Sequence, residues 1–502
     1  MTDNPLADLG DDDRRAPPCV LVVFGASGDL TSRKLMPALA ELADDRRLPP
    51  AFSVVGVART ELQEDDFRRR MLEAVDKPSA AWENLVAGFR YVVGDYADPA
   101  TFDRLRAVLE QVDRERGTAG NRVYYLATVP QVFAEVATAL AAHGLSKPEG
   151  DDAFVRIVVE KPYGRDLASA QALDAAMHAA FDEAQIYRID HYLGKETVQN
   201  VLALRFANAI FEPIWNRRYV DHVQITVAES LGVGHRGGFY ESAGALRDIV
   251  QNHVLQVLAL TLMEPPATVD AKGIRDEKVK ALRAVDILSP DEVPGDVVRA
   301  QYEAGWVDGE EVVGYRSEEG VDPKSTTETY VAMHLRVDNW RWAGVPFHLR
   351  TGKRLPKRLT EVAMTFHDVP HLPFARKETR GLGPNALVLR IQPDEGITLR
   401  FGAKVPGQAF RVRSVSMDFS YGAAFLEETP EAYERLLLDA MVGDPTLFIR
   451  TDEVEQAWRI VAPLLEAWQD PGLPLARYAA GTWGPTEADR LLTRDGRRWR
   501  TP

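Results

Sequence analysis

The fold of the first part of this chain is indicated by one stretch, Cys19-Val20-Leu21-Val22-Val23-Phe24-Gly25-Ala26-Ser27-Gly28-Asp29-Leu30. Its first half is a run of apolar and β-branched residues, which is typical of a buried strand. Its second half is a glycine turn, and a helical pattern of apolar residues follows from Ser32 to Leu42. A buried strand, a glycine turn and a helix open a βαβ unit.

The same alternation of strand and helix continues along the first third of the chain. The predicted strands are Cys19–Phe24, Phe52–Ala58, Phe89–Val93, Arg122–Leu126 and Phe154–Val159. Strands that alternate with helices form a mainly parallel sheet with helices on both faces. We therefore predict an α/β, Rossmann-like, doubly wound N-terminal domain over residues 19–195.

From about Glu196 the pattern changes to long helices and then to successive strands. The predicted helices are Glu196–Asn208, Ser242–Met263, Asp276–Val285, Glu431–Met441 and Thr451–Trp468, and the predicted strands are Val220–Ala228, Thr327–Val337, Val345–Arg350, Glu361–Phe366, Ala386–Gln392, Ile397–Phe401 and Val412–Phe419. Consecutive strands without helices between them pair antiparallel. We predict an α+β C-terminal domain, residues 196–502, with a large, mainly antiparallel sheet. The stretch 286–325, rich in Asp, Gly, Pro and Glu, is predicted to be surface loop.

Bulk composition limits the classes of partner. The chain has 502 residues and a net charge of −15, which argues against nucleic acid or an anionic membrane as the main partner. The acidic segment Met1–Pro18 lacks a signal-peptide pattern and is predicted to be a disordered tail. Cys19 is the only cysteine, so disulfides within the chain and cysteine-based metal sites are excluded. We expect a soluble protein of the reducing cytoplasm.

The glycine turn is a shortened dinucleotide fingerprint. Glycines at Gly25 and Gly28 would let the backbone approach a pyrophosphate at the start of a helix, although a plain tight turn has the same pattern. Arg59 ends the second strand, where an NAD site would have an acidic residue for the ribose 2′-hydroxyl. A guanidinium at that point suits a 2′-phosphate, so we favour NADP over a merely solvated arginine.

The stretch Arg188–Glu196 holds four polar groups of different chemistry: Asp190, His191, Tyr192 and Lys195. His191 and Lys195 are four residues apart. If this stretch were the first turn of a helix, they would lie on one face at its positive end, which suits a phosphate. The alternative is a salt-bridged helix start at the surface.

Two other motifs carry groups for catalysis. Lys161, in Glu160-Lys161-Pro162, ends the last predicted strand of the first domain and could reach coenzyme and substrate, or be a solvated lysine beside a Pro162 that could be cis. Asp248 and His253 lie on one predicted helix about 140° apart, which makes them poor direct partners. His253 is either a satisfied core histidine or a general base oriented by a carboxylate from elsewhere, for which Asp190 is the candidate.

Polar residues that follow later strands complete the candidate set. Lys353, Arg354, Lys357 and Arg358 form a basic cluster that either closes an anion site or is a solvated face. Glu229 and Gln392 end two apolar strands, where they could bind sugar hydroxyls, although neither is distinctive alone.

Four motifs in this order and spacing resemble the glucose-6-phosphate dehydrogenase family. They are Gly25–Leu30, Glu160–Leu167, Arg188–Glu196 and Arg247–His253. The resemblance extends from about residue 19 to 490 and implies oxidation of β-D-glucose 6-phosphate at C1 to 6-phospho-D-glucono-1,5-lactone, the first step of the oxidative pentose phosphate pathway. The second domain would then bind substrate and form a homodimer or homotetramer.

The same resemblance implies a role for each candidate residue. His253 would be the base and Asp190 its paired carboxylate. Substrate would contact Lys161, His191, Tyr192, Lys195, Glu229, Asp248, Lys353, Arg358 and Gln392. Coenzyme would contact Gly25, Ala26, Ser27, Gly28, Asp29, Leu30, Arg59 and Lys161. NADP would be the coenzyme with NAD as a weaker substitute, and no metal is expected.

The sequence departs from the family in three respects and leaves two other functions open. Ser32-Arg33-Lys34 varies the basic run after the glycine turn, which leaves room for partial use of NAD, and the acidic N-terminal tail matches nothing in the family. Vertebrate members have a second, structural NADP site that needs basic residues, but Leu359 follows Arg358 here, so that site is not predicted. One alternative is another sugar or polyol dehydrogenase of the glucose–fructose oxidoreductase type, which also joins a Rossmann domain to an antiparallel sheet. The other is a non-catalytic NADP-sensing homologue, although His253, Asp190 and Lys195 are all present.

Overall fold

The computed structural model describes residues 14–150, 152–376, 378–407, 410–425 and 431–502. The predicted tail, Met1–Pro18, therefore lies outside the described residues except for its last five. Within the described ranges, no helix is both long enough and apolar enough to cross a membrane.

The chain forms two compact units. The first contains the described residues up to Gly194 together with 268–275 and 431–455, and the second contains 195–267, 276–425 and 456–502 apart from undescribed positions. The break at Gly194 is one residue from the predicted boundary. The predicted limits place 268–275 and 431–455 in the second domain. In the structure, helix Ala432–Val442 packs against helix Met36–Asp44 of the first unit.

Six strands in the described part of the first unit form a parallel sheet. They are β1 (Cys19–Phe24), β2 (Phe52–Ala58), β3 (Arg90–Val93), β4 (Arg122–Leu126), β5 (Val155–Val159) and β6 (Ile186–Arg188). The order is β3-β2-β1-β4-β5-β6, and every neighbouring pair is parallel. This confirms the predicted doubly wound fold, although the three-residue β6 is too short to show a pattern in the sequence. The order reverses between β1 and β4, where such sheets open a ligand crevice at the carboxyl ends of the strands.

Helices flank this sheet. They are Met36–Asp44, Glu64–Glu73, Ala80–Val86, Pro99–Arg116, Phe133–Ala142, Leu167–Ala180 and Ala432–Val442. A five-residue π-helical segment, Thr31–Leu35, lies between the glycine turn and the first of these helices. Helices Ala271–Arg283 and Thr451–Ala467 have residues in both units.

The second unit is built on strands β7 to β17. They are β7 (Val220–Ala228), β8 (Val297–Glu303), β9 (Gly305–Val307), β10 (Glu310–Val312), β11 (Tyr330–Leu335), β12 (Phe347–Gly352), β13 (Leu359–Phe366), β14 (Ala386–Gln392), β15 (Gly396–Lys404), β16 (Val412–Ser420) and β17 (Ala476–Ala479). In the described residues, all but the β9–β10 hairpin form one sheet in the order β16-β15-β14-β13-β7-β12-β11-β8-β17. Its helices are Glu196–Phe206, Gly237–Ala245, Leu255–Leu262, Val293–Asp296, Tyr421–Phe425 and Thr486–Thr493.

The large sheet is mainly antiparallel, as predicted, but two of its pairs are parallel. β7 pairs in parallel with β12, and β8 with β17. Because β7 and β12 run in the same direction, the residues that follow them, Glu229 and Lys353, emerge at the same edge of the sheet.

The prediction that 286–325 is surface loop is wrong. Strand β8 lies within this stretch and pairs with β11 inside the sheet. Val297, Ala300 and Tyr302 of β8 are buried. The polar residues that suggested a loop lie on both sides of β8, in the loop 286–292 before it and in the β9–β10 hairpin and turns after it.

The predicted helix Ser242–Met263 is also not continuous. Gly244, with φ 65° and ψ 174°, breaks it. The residues Leu246–Val254 that follow are π-helical, and an α-helix then ends at Leu262. This change of geometry alters which side chains share a face.

Candidate active site

The glycine turn lies at the point where the order of the first sheet reverses. Gly25 has a φ of +85°, and a Cβ there would lie 2.3 Å from the carbonyl oxygen of Ala127, just beyond β4. Its carbonyl oxygen accepts hydrogen bonds from the Gly28 N–H at 2.9 Å and the Thr31 hydroxyl at 3.2 Å. The turn thus brings bare backbone to the start of a helix, which is the arrangement that binds a pyrophosphate.

Arg59 directly follows β2 and is exposed. Its neighbour Thr60 forms a hydroxyl–hydroxyl hydrogen bond with Ser27 of the glycine turn at 2.8 Å. The end of β2 is therefore tied to the turn, and Arg59 lies beside the predicted coenzyme residues Gly25 to Leu30.

Lys161 follows β5 and a buried carboxyl group. Glu160 accepts hydrogen bonds from the hydroxyls of Tyr125 at 2.6 Å and Tyr433 at 3.2 Å. Burial raises the pKa of Glu160, although these two hydroxyls oppose the rise. The Lys161–Pro162 peptide bond is cis, as anticipated.

His191 and Asp190 occupy a turn rather than a helix. Asp190 is buried and accepts a hydrogen bond from the Tyr192 N–H at 2.9 Å. The imidazole of His191 stacks on the ring of Tyr433, with centroids 6.3 Å apart and planes 11° apart. Tyr433 thus contacts both His191 and Glu160. No local pattern identified it, because it lies more than 200 residues away in the chain.

The prediction that His191 and Lys195 share a helix face is wrong. The helix begins at Glu196 with Lys195 as the residue that precedes it. His191 therefore lies outside the helix, and the spacing of four residues has no geometric meaning there.

Lys195 and Arg358 converge on Gln392 in the second unit. The ammonium of Lys195 donates to Oε1 of Gln392, and Arg358 donates to the same oxygen at 3.1 Å. The amide nitrogen of Gln392 in turn donates to Thr360 at 2.9 Å. Two cationic side chains thus meet on one neutral oxygen.

Glu229 and Lys353 form an ion pair just beyond the ends of the parallel strands β7 and β12. The ammonium of Lys353 lies 2.6 Å from Oε2 of Glu229 and 5.0 Å from the ring centroid of Tyr240. Lys353 is buried. Glu229 and Lys353 lie in separate motifs of the sequence, and the parallel pairing of their strands brings them together.

The π-helical segment changes the relation between Asp248 and His253. Hydrogen bonds of a π-helix join residues five apart, so residues at this spacing lie on one face, one turn above the other. The predicted separation of about 140° assumed an α-helix and is wrong for this segment. Asp248 is half-buried and His253 is buried. Asp190 belongs to the first unit and His253 to the second, and their pairing stays a prediction.

Two models of known protein domains match this chain, one after the other along the sequence. Residues 22–200 match the model of the NAD-binding domain of glucose-6-phosphate dehydrogenase, and residues 202–500 match the model of its C-terminal domain. The chain belongs to the glucose-6-phosphate dehydrogenase family. This is the family that the four motifs indicated, and the match supports neither the glucose–fructose oxidoreductase type nor a non-catalytic homologue.

Individual relatives match over nearly their whole length. Glucose-6-phosphate 1-dehydrogenase 2 of Mycobacterium bovis is 52% identical over 507 residues, covering 99% of this chain and 98% of the relative. Glucose-6-phosphate 1-dehydrogenase of Aggregatibacter actinomycetemcomitans is 50% identical over 492 residues, covering 97% and 98%. A solved glucose-6-phosphate dehydrogenase in complex with its substrate glucose-6-phosphate has a TM-score of 0.88 at 33% identity, covering 97% of this chain and 99% of the other.

Proposed function

We propose that this protein oxidises β-D-glucose 6-phosphate at C1 to 6-phospho-D-glucono-1,5-lactone with NADP as the hydride acceptor. This is the first step of the oxidative pentose phosphate pathway. The family match over nearly the whole chain carries the proposal. Domain 19–195 would bind the coenzyme, and domain 196–502 would bind the sugar phosphate and form the contacts between subunits.

The residues of the coenzyme site fit a dinucleotide. Gly25, whose positive φ and contact with the Ala127 carbonyl leave no room for a Cβ, forms a tight turn whose backbone would face a pyrophosphate, with Ala26, Ser27, Gly28, Asp29 and Leu30 completing the turn. Arg59 would pair with a 2′-phosphate, and this supports NADP with NAD as the weaker coenzyme. When bound, the coenzyme supplies the hydride acceptor.

His253 would act as the general base. Loss of hydride from C1 requires removal of the C1 hydroxyl proton, and a neutral imidazole can accept it. Asp190 would stabilise the imidazolium that results. His253 is buried, which suits a base whose proton transfer must exclude water.

The remaining polar residues would fix the two ends of the sugar phosphate. Lys195 and Arg358, with His191 and Tyr192, would hold the phosphate, and the convergence of two cations on Gln392 supports this role. Glu229, Asp248, Lys353 and Lys161 would hold the sugar and coenzyme near C1. Binding energy from the phosphate would thus position a remote carbon.

We also propose that copies of the chain associate through strands β15 and β16. Val415, Met417 and Phe419 alternate along β16, and Met417 is 62% exposed. They pair across the sheet with Phe401, Leu399 and Ile397, respectively. One apolar face at the edge of the sheet is a suitable surface for a homodimer, which could pair again into a homotetramer. Met417→Glu should lower the mass measured by light scattering, whereas Ser416→Glu on the opposite face should not.

Initial rates test the reaction and the coenzyme together. We expect reduction of NADP with glucose 6-phosphate at micromolar to millimolar KM, a lower kcat/KM with NAD, and little activity on free glucose. Activity on free glucose equal to that on the phosphate ester would overturn the proposed substrate. Equal kcat/KM for both coenzymes would overturn the NADP preference alone. We also propose that the protein works in the cytoplasm, because a single cysteine suits a reducing compartment.

A further inference from the structure

The helix that carries Asp248 and His253 begins at an abrupt break. Gly244 has a φ of 65° and ψ of 174°, a conformation that essentially only glycine adopts. After this break the chain enters the π-helical segment Leu246–Val254. The first N–H groups of this new helical run have no partner on the preceding turn, so they need acceptors from elsewhere.

Glu328 supplies two of these acceptors from a segment 82 residues away. Its main-chain carbonyl accepts from the Ala245 N–H at 3.0 Å, and its Oε1 accepts from the Leu246 N–H at 2.9 Å. Glu328 is buried, with 5% of its surface exposed. A carboxyl group at a helix N-terminus is also favoured by the helix dipole.

Gly244 and Glu328 are fitted to each other. A Cβ on Gly244 would lie 2.3 Å from Oε1 of Glu328, so the carboxyl group occupies the space that a side chain would fill. The glycine is therefore needed twice, for its positive φ and for the approach of this carboxyl group.

The segment that holds Glu328 also anchors Lys353. The carbonyl oxygen of Thr329 accepts from the Lys353 N–H at 3.0 Å. On the other side, Thr327 donates to the carbonyl oxygen of Glu241 at 3.0 Å. One short segment thus connects the helix that bears His253 with the backbone of Lys353.

We infer that Glu328 is a positioning residue, whose carboxyl group holds the start of the π-helical segment so that His253 and Asp248 face the sugar beside Lys353. The inference rests on the proposed role of His253 as the base. Glu328 would act through the backbone of Leu246, without contact to substrate or coenzyme.

Three substitutions separate positioning from simple stabilisation. Glu328→Ala removes the acceptor, Glu328→Asp keeps the charge but shortens the side chain, and Glu328→Gln keeps an amide oxygen at the same reach. We expect kcat to fall about tenfold to a hundredfold in the Ala and Asp variants, because small displacements of a reacting group have effects of that size. The Gln variant should keep kcat within about threefold, since its amide oxygen can accept the Leu246 N–H. Glu319→Ala, an exposed carboxylate of the same unit, is the control and should change nothing.

The primary isotope effect on kcat distinguishes a loss of positioning from a simple loss of stability. With glucose 6-phosphate deuterated at C1, the primary isotope effect on kcat should rise in Glu328→Ala, because a displaced base makes the hydride step more rate-limiting. A smaller folded fraction would lower kcat without changing the isotope effect, and that result would overturn the inference. So would a Gln variant as slow as the Ala variant, or full activity in both Ala and Asp variants. If Glu328→Ala fails to fold, the Asp and Gln pair gives the same comparison.

A double variant separates this inference from the proposed function. In a His253→Asn background, Glu328→Ala should lower kcat by less than about twofold further, because the group that it positions is gone. Full additivity of the two effects would contradict the inference. Normal turnover in His253→Asn itself would refute the assigned base, which is a separate failure.

Discussion

Lys353 donates a hydrogen bond from its ammonium to Oε2 of Glu229 at 2.6 Å. The two residues directly follow β12 and β7, where Gly352 is paired in parallel with Ala228. Each residue is therefore held by the sheet, and the pair presents a cation and a carboxylate at one point. Such a pair can both donate to and accept from a sugar hydroxyl.

Removal of Lys353 should impair substrate binding more than coenzyme binding. In Lys353→Ala, the KM for glucose 6-phosphate should rise about tenfold to a hundredfold, the effect of losing a hydrogen bond to a charged group. The KM for NADP should change less than threefold in the same steady-state assays. Lys357→Ala is the matched control, because Lys357 belongs to the same basic cluster but is exposed. Equal effects of the two variants would show that the cluster acts only through its overall charge.

Arg59 should set the choice of coenzyme. Arg59→Ala should raise the KM for NADP by at least tenfold and leave the KM for NAD within about twofold, because only NADP has the 2′-phosphate. Arg69→Ala serves as the control, since Arg69 is an exposed arginine of the same unit that is paired with Asp66. Equal losses for both coenzymes would refute the role of Arg59 in recognition of the 2′-phosphate.

Gly244→Ala should destabilise the second unit. A Cβ would require a strained backbone and would clash with Glu328, and together these should lower the free energy of unfolding by roughly 2 kcal/mol or more. Gly295→Ala is the control, because Gly295 has no heavy atom within 4 Å of the added Cβ. The midpoint of urea unfolding checks both variants. An unchanged midpoint for Gly244→Ala would contradict the structural account of the helix break.

The ion pair that attaches Arg497, near the C-terminus, to Asp221 of β7 should contribute stability that depends on pH. Arg497 donates two hydrogen bonds of 2.9 Å to Asp221, and these lower the pKa of that carboxyl well below its ordinary 3.8 despite partial burial. A carboxyl group whose pKa is lowered on folding contributes stability above its unfolded pKa, and the contribution disappears as the pH falls through the folded value.

Thermal unfolding of Asp221→Asn tests the direction of this change in pKa. The Tm difference from the unsubstituted protein should be constant above about pH 5 and should shrink below about pH 4, near the unfolded pKa of aspartate. Asp65→Asn, at an exposed carboxylate of the first unit, should show no such trend. A Tm difference that grows as the pH falls would show that folding raises the pKa of Asp221 instead of lowering it.

Strands and turns whose own residues show a clear pattern can be predicted from the sequence. The apolar run Cys19–Phe24 and the glycines after it form the first strand and turn as predicted, because burial and positive φ leave marks in the residues themselves. The mainly antiparallel sheet was predicted for the same reason. The buried strand β8 was missed because the Gly-rich and Asp-rich turns on both sides of it obscured a short apolar alternation.

Features set by distant contacts could not be predicted. The Leu246 N–H that follows the break at Gly244 donates to Glu328, and the ring of Tyr433 contacts His191 from another part of the chain. Neither contact leaves a local pattern. The π-helical geometry that puts Asp248 and His253 on one face is likewise absent from a pattern read with the period of an α-helix. Residue chemistry and family resemblance are enough to indicate the candidate residues, whereas only the structure shows which of them lie together.

Turnover of His253→Asn tests directly whether His253 is the general base. Asparagine keeps hydrogen-bonding capacity but cannot accept the C1 hydroxyl proton, so kcat should fall about a hundredfold or more. The Kd for glucose 6-phosphate, measured by calorimetry, should stay within about threefold. His235→Asn, at a 96% exposed side chain, should retain full activity. A kcat for His253→Asn within a few-fold of the unsubstituted enzyme would contradict the account, since another group would then have to be the base.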